Sequence, residues 1–213
     1  MKTNFHRPGR TSVVAFLTTI LPLLATTTFA APKTFLIVEQ EQPGATIVTA
    51  AQPSENASAA AKELQHYIQK ITGAKLPMAT DAENPSGRLI LIGPSKLTQS
   101  DPALRIPSGL TPALREEGFV IKCTPERLVA AGNDEGPYYG TRYAVVELLH
   151  RLGARWFMPG EFGEVLPHTN TLALAPAEIR QKPDFVMRNY WQHARDNMAA
   201  LDQEWKIHHK MNP

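Results

Sequence analysis

The sequence predicts an α+β fold in which one mixed β-sheet carries two helices packed on one face. Three observations lead there. Two segments repeat apolar residues with a helical period, Ala60, Leu64, Tyr67, Ile68 and Ile71 in one and Tyr139, Tyr143, Val146 and Leu149 in the other. Short apolar runs bounded by Gly, Pro, Asn and Asp flank both stripes, the pattern of strands between turns. Each stripe gains about 1.5–3 kcal/mol per large side chain only if something covers it, so helices and strands must form layers.

Taken in order, Thr34 to Val38 and Ala45 to Ala50 are strand candidates separated by the turn signal Gln42-Pro43-Gly44. A helix then starts at Ser54 or Asn56 and runs to about Ile71, with Gly73 placed for a left-handed C-cap. Leu89 to Ile92 is a continuous apolar run, which reads as a strand covered on both faces. Ser95 to Pro112 is polar and proline-rich and reads as a surface loop. Gly118 to Cys123 and Arg127 to Ala131 form a hairpin around Thr124-Pro125-Glu126. The second helix spans Pro137 to about Leu152, capped by Asn133 or Asp134 and closed by Gly153. Gly132 and Gly136 permit a sharp entry to it, and Gly140 lets it approach the sheet. Arg155 to Phe157, Gly163 to Leu166 and Leu172 to Leu174 complete the strands, and residues 176–182 read as a linker.

The first residues stand apart. Lys2, Arg7 and Arg10 precede an apolar stretch, Val13 to Leu24, and Thr28-Phe29-Ala30 offers small residues for cleavage. Residues 1–30 therefore read as a secretory signal peptide, cut after Ala30 or Ala31, and the chain as secreted or periplasmic. The stretch is short for a bilayer span, so no membrane span is expected after cleavage. The whole chain holds 22 basic and 20 acidic residues, and three of the basic ones lie in the leader. What remains is close to neutral and has no basic cluster, which argues against nucleic acid. Cys123 is the one cysteine, so no internal disulfide forms, and its place in the alternation Phe119, Ile121, Cys123 reads as core.

Chemistry-bearing motifs are sparse. The glycines of 132–140 lack the GxGxxG and GK[ST] patterns, and Asp134 and Glu135 stand where an anion would bind. Glu161 and Glu164 form a carboxylate pair of the type glycosidases use, but on a glycine-rich turn that reads as a solvated pair. His150, His193, His208 and His209 lack metal-ligand spacing, so neither metal nor other cofactor is expected. His150 sits where a cation would suit a helix C-terminus.

Gly136, Gly140, Tyr143, Glu147-Leu148-Leu149, Leu152-Gly153, Arg155-Trp156-Phe157 and Pro159 follow one another in an order that resembles the accessory domain ahead of the barrel in α-glucuronidases and β-N-acetylhexosaminidases. Ala60 to Leu64, Thr72-Gly73 and Leu91-Ile92-Gly93 extend the likeness upstream, so it covers roughly residues 34 to 175 of an accessory domain expected at residues 31–175. Pro183-Asp184-Phe185 and Arg188 look like the entry to the first barrel strand, with Asn189 where the family carries glycine. The chain also resembles bacterial secreted proteins that pair such a domain with a barrel-like domain of unknown function, and this implies that residues 183–213 are the truncated start of a (β/α)8 barrel, a fold of about 250 residues. The resemblance implies Arg188 as a substrate contact through paired hydrogen bonds and Trp191 as a stacking platform, with the catalytic carboxylates further downstream. The function so implied is the N-terminal non-catalytic region of a secreted glycoside hydrolase, α-glucuronidase-like and inactive as this fragment, meeting polysaccharide or oligosaccharide through the barrel. The alternative is a free-standing polysaccharide-binding or scaffold domain. A binding domain would present an exposed aromatic platform, for which Trp156, Trp191, Tyr138 and Tyr139 are the candidates.

Overall fold

The structure, a computed structural model, describes Met1, residues 33–113, 115–190 and 198–212. The leader expected at residues 1–30 falls outside the described residues apart from Met1, and so does Trp191. Described elements are strands β1 (Phe35–Glu39), β2 (Gln42–Pro43) and β3 (Thr46–Thr49), helix α1 (Glu55–Thr72), β4 (Met78–Thr80), β5 (Leu89–Ile92) and α2 (Lys96–Gln99). The chain continues through β6 (Phe119–Cys123), β7 (Arg127–Gly132), α3 (Gly140–Arg151), β8 (Arg155–Trp156) and β9 (Glu164–Val165). It closes with β10 (Leu172–Leu174), β11 (Ala177–Gln181) and α4 (Ala199–His208).

The expected mixed sheet is present, in the order β11-β6-β7-β5-β3-β4. Strands β4, β3, β5 and β7 run parallel, β6 joins β7 antiparallel, and β11 joins β6 antiparallel and so runs with the first four. Alternation divides each central strand between two cores. Ile47, Ile90, Ile92, Leu128 and Ala130 face α1 and α3, and Val48, Leu89, Leu91, Val129 and Ala131 face the other way. All four residues of β5 are buried, as a strand covered on both faces requires. The second face is covered by residues expected as a surface loop. There α2 and a 3₁₀ turn at Pro102–Leu104 bring Leu97, Leu104 and Ile106 onto the sheet. Three apolar residues scattered among prolines carry no period, which is why that stretch reads as solvent-facing.

The first and last expected strands do not join this sheet. β1 pairs antiparallel with β10 and β2 in a separate three-stranded sheet, and β8 pairs with β9. The segment expected as a linker is in fact a strand: β11 pairs with β6 over five registered residues, Ala177↔Cys123 to Gln181↔Phe119. Its residues are mostly exposed, as on a sheet edge, so the apolar signal reduces to Ile179.

Capping explains the helix bounds. Ser54 Oγ accepts from the Ala57 amide at 3.0 Å, and Gly73, at φ 79°, sends its N–H to the Gln69 carbonyl at 2.8 Å. Helix α3 starts three residues later than the sequence suggests. Asp134 reaches forward to accept from the Thr141 amide at 2.9 Å, and the Tyr139 amide donates to Glu117 Oε1 at 2.8 Å, so Pro137 to Tyr139 form the approach. At that point the helix start meets the end of β7 backbone to backbone. A Cβ on Gly140 would lie 2.4 Å from the Asn133 nitrogen, and one on Gly132 would lie 2.3 Å from the Gly140 carbonyl carbon.

Gly140→Ala should therefore lower stability by about 1–3 kcal/mol or more, because backbone cannot yield as a side chain can. Gly73→Ala, with no atom within 4 Å of the new methyl, should lose only about 1–2 kcal/mol from its left-handed backbone. Urea unfolding of both variants checks the order, and equal losses would contradict the close contact.

Candidate functional site

Helix periodicity gathers one charged cluster. In α1, Glu63, Tyr67 and Lys70 are spaced four and three apart and share a face, and in α4 Glu204 and His208 do the same. Between them α3 supplies Arg142, which is buried. Its Nη2 lies 3.0 Å from Glu63 Oε2 and 2.6 Å from Glu204 Oε2, with Nη1 3.3 Å from Glu204 Oε1. The second Glu63 oxygen accepts from His208 Nε2 at 2.7 Å, and the His208 ring stacks on Trp156 at 4.0 Å and 18°. Trp156 Nε1 donates to Tyr67 Oη at 2.9 Å, whose hydroxyl donates to Glu164 at 2.7 Å, and Lys70 pairs with the same carboxylate. A cleft of about 250 Å³ opens along this cluster, bounded also by Met158, Glu161 and Leu201.

Electrostatics decide what the cluster can do. Burial pushes the Glu63 carboxyl up, but the His208 hydrogen bond and the Arg142 charge outweigh it and hold it below the usual carboxylate range. At Glu164, burial is likewise outweighed by Lys70 and Tyr67, and its carboxyl also titrates low. Glycoside hydrolysis needs one carboxyl kept protonated as an acid, and neither of these is. Glu63, Glu204 and His208 bring three ligand-type atoms within 4.8 Å of one another. The Arg142 guanidinium already provides the cation between the two carboxylates, so the donor set does not suit a metal. The arrangement is a clamp that fastens α4 to α1 and α3.

Arg188 fastens the same segment just past the end of α4. Its Nε donates to the Lys210 carbonyl and its Nη1 to the Phe185 carbonyl, both at 2.8 Å, and Nη2 pairs with the buried carboxylate of Glu117. The guanidinium lies 5.7 Å from the Tyr143 ring centre, and Tyr143 Oη donates to the Met211 carbonyl at 2.7 Å. Arg188 also borders a cleft of about 260 Å³ with Phe119, Asp184, Phe185 and Lys210. Three of the five guanidinium N–H groups are thus engaged within the chain.

A sequence model described as the N-terminus of glycosyl hydrolase family 67 matches residues 31–143, more than half of the chain. The chain belongs to this family. It is an N-terminal accessory domain of glycoside hydrolases, and this accessory domain has a glycosidase-related role. Similar solved structures include a family GH115 4-O-methyl-α-glucuronidase with specificity for decorated arabinogalactans (21% identity, 72% of this chain and 19% of that one, TM-score 0.49). Others are the GH20 β-N-acetylhexosaminidase of Streptomyces coelicolor A3(2) (16% identity, 74% and 25%, TM-score 0.46) and a Streptomyces plicatus β-hexosaminidase variant with its product GlcNAc (16%, 74% and 25%, TM-score 0.44). The chain spans a quarter or less of each of these proteins. No curated sequence matches it.

Within the accessory domain, the aromatic residues expected on a binding platform are mostly core: Trp156 and Tyr138 are buried and Tyr139 is half-buried. Cys123 is buried, and burial pushes its thiol up, away from nucleophilic character. His150 does not serve the helix dipole as a cation, because burial and the nearby Lys210 and Arg155 charges bring it down to about 4. Among the described residues, no helix is long and apolar enough to cross a membrane. The clamp itself escapes a sequence reading, since Arg142 sits within an apolar stripe and its partners are 62 and 79 residues away.

Arg142→Met should cost about 3–5 kcal/mol in urea unfolding, since it leaves Glu63 buried without its cation. Glu204→Gln should cost less than about 1 kcal/mol, because that carboxylate is half-exposed. A folded-state His150 that titrates below its unfolded value binds its proton later than the unfolded chain does. Its contribution to stability is therefore intact above about pH 6.5 and is lost as pH falls toward about 4. His150→Gln should accordingly shrink the fall in Tm between pH 7 and pH 5, measured by thermal denaturation across that range.

Proposed function

We propose that this chain is the N-terminal, non-catalytic region of a secreted, α-glucuronidase-like glycoside hydrolase. In this reading residues 1–30 direct export and residues 31–175 support a barrel that begins near residue 183. Hydrolysis of the O-glycosidic bond of a polysaccharide or oligosaccharide falls to carboxylates of that barrel. The observation that carries the reading is the family match over residues 31–143. The low-titrating Glu63 and Glu164 support it from the chemical side, because neither suits the proton donor that such hydrolysis needs. Arg188 and Trp191 are proposed as sugar contacts of the barrel entrance. A contact by Arg188 would use the two N–H groups that its bonds to Lys210, Phe185 and Glu117 leave over.

The test is the native polypeptide, captured from its source with an antibody against residues 31–175 and measured by mass spectrometry. The expected species is larger than the processed form of these 213 residues, starts at Ala31 or Pro32, and lies outside the cytoplasm. A species no larger than the processed chain would sink the hydrolase reading, and an intact Met1 terminus would sink export. In parallel, the purified chain should release no product from 4-nitrophenyl glycosides or glucuronic-acid-bearing xylo-oligosaccharides. Turnover abolished by Glu63→Gln or Glu164→Gln would overturn the non-catalytic assignment.

A further inference from the structure

The parallel part of the large sheet has a reversal in its winding. From β3 the chain passes through α1 to β4 on one side, then returns to lay β5 against the other edge of β3 and later β7 beyond it. Where the winding reverses, the connections leave the carboxyl ends of β3 and β5 in opposite directions and open a crevice, the usual ligand position in sheets of this kind. Such a crevice is present here. It measures about 610 Å³, within the range of roughly 300–1,000 Å³ typical of small-molecule sites. Its walls come from the segments that follow the three strands: Gln52 and Ser54 after β3, Pro94 and Thr98 after β5, and Gly132 to Glu135 after β7.

The lining separates into a fixed frame and a free rim. Asp134 accepts from Ser54 Oγ at 2.8 Å and from the Thr141 amide, Glu135 accepts from the Gly109 amide at 2.8 Å, and Asn133 donates to the Gly109 carbonyl at 2.7 Å. These bonds hold the frame without a ligand. Gln52, Gln99, Arg105 and Ser108 stand exposed around it, offering amide, guanidinium and hydroxyl groups. Pro94, Pro102, Leu104, Ile106 and Pro107 supply an apolar wall. With Asp101 offset by Lys122, Asp134 and Glu135 against one arginine still disfavour an anion such as a phosphate or a uronate. A bare cation is poorly served too, since Asp101 is paired with Lys122 at 3.1 Å and the other two carboxylates are occupied by the frame. Uncharged hydroxyls on a ring with an apolar C–H face match both halves of the lining.

We infer that the crevice at the carboxyl ends of β3, β5 and β7 binds a short neutral oligosaccharide, independently of any catalytic centre. The inference rests on the glycosidase-related reading only for its choice of sugars. It gives the accessory domain a glycan contact of its own, at the carboxyl edge of its parallel strands.

The experiment is isothermal titration of the full chain with neutral xylo-, cello- and galacto-oligosaccharides, and with glucuronic acid as the charged comparison. The expected result is saturable binding of at least one neutral series and none of glucuronic acid. Gln52→Trp, which fills the crevice from an exposed position, should weaken that binding at least tenfold without lowering Tm. Phe162→Ala, on the β8–β9 connection, should leave it unchanged. Absence of saturable binding by every neutral series would overturn the inference, as would equal binding by the Gln52→Trp variant or preference for glucuronic acid. Crevice binding in a native polypeptide no larger than the processed chain would uphold this site while sinking the hydrolase reading. A larger native polypeptide without crevice binding would do the reverse.

Discussion

The contact of bare backbone between Gly132, at the end of β7, and Gly140, at the start of α3, is the constraint on which the rest depends. No side chain fits between them, so the helix meets the strand at a distance and angle that only two glycines allow. Gly118, whose carbonyl accepts from the Asn133 amide at 3.0 Å, completes the junction from β6. Two and three residues into the helix come Arg142 and Tyr143, and their positions follow directly from where α3 begins. Arg142 then meets Glu63 and Glu204, while Tyr143 meets Arg188 and Met211. Packing of three chain segments without side chains thus sets the geometry of charges that hold a fourth.

Those charges have a particular economy. Burying a guanidinium and a carboxylate is costly, and their attraction offsets this only when the remaining donors and acceptors are met as well. Here Glu63 uses one oxygen for Arg142 and the other for His208, and His208 lies flat on Trp156. Arg142 Nε alone among its guanidinium nitrogens finds no partner. The network specifies one placement of α4 on α1 and α3 more than it adds stability. It also ties up the carboxylates that could otherwise be mistaken for catalytic ones.

Much of the fold was legible because it rests on local rules. The stripe from Ala60 to Ile71, the cap at Ser54 and the left-handed Gly73 describe α1 within a residue or two, and the unbroken run Leu89–Ile92 announced a strand with two covered faces. What escaped depends on distant partners. Residues 177–181 become a strand only because β6 offers a free edge, and Leu97, Leu104 and Ile106 become core only because a second sheet face lies beneath them. The expected role of His150 failed for a related reason, since its proton affinity is set by burial and by Lys210, 60 residues on. For the candidate site the balance was poorer. Arg188 was noticed, but its tie to Glu117 was not; the helical spacings of Glu63 with Tyr67 and of Glu204 with His208 do not reveal that Arg142 joins them, and the segment 132–135 gives no sign that it walls the crevice beyond β3 and β5.

The two borders of the large sheet bear on how this domain behaves in a crowd. An open strand edge is an invitation to pair with another chain, and six-stranded sheets have two such edges. At one border β4 is only three residues long and directly follows Pro77, which has no N–H to offer. At the other, β11 carries Glu178 and Arg180 on exposed positions and is followed at once by Lys182 and Pro183. Had residues 177–181 stayed a free linker, the five-residue β6, polar only at Lys122, would itself have been the border. The charged β11 therefore stands between β6 and any further strand, presenting Glu178 and Arg180 where an uncovered border would present the backbone of Phe119 to Cys123.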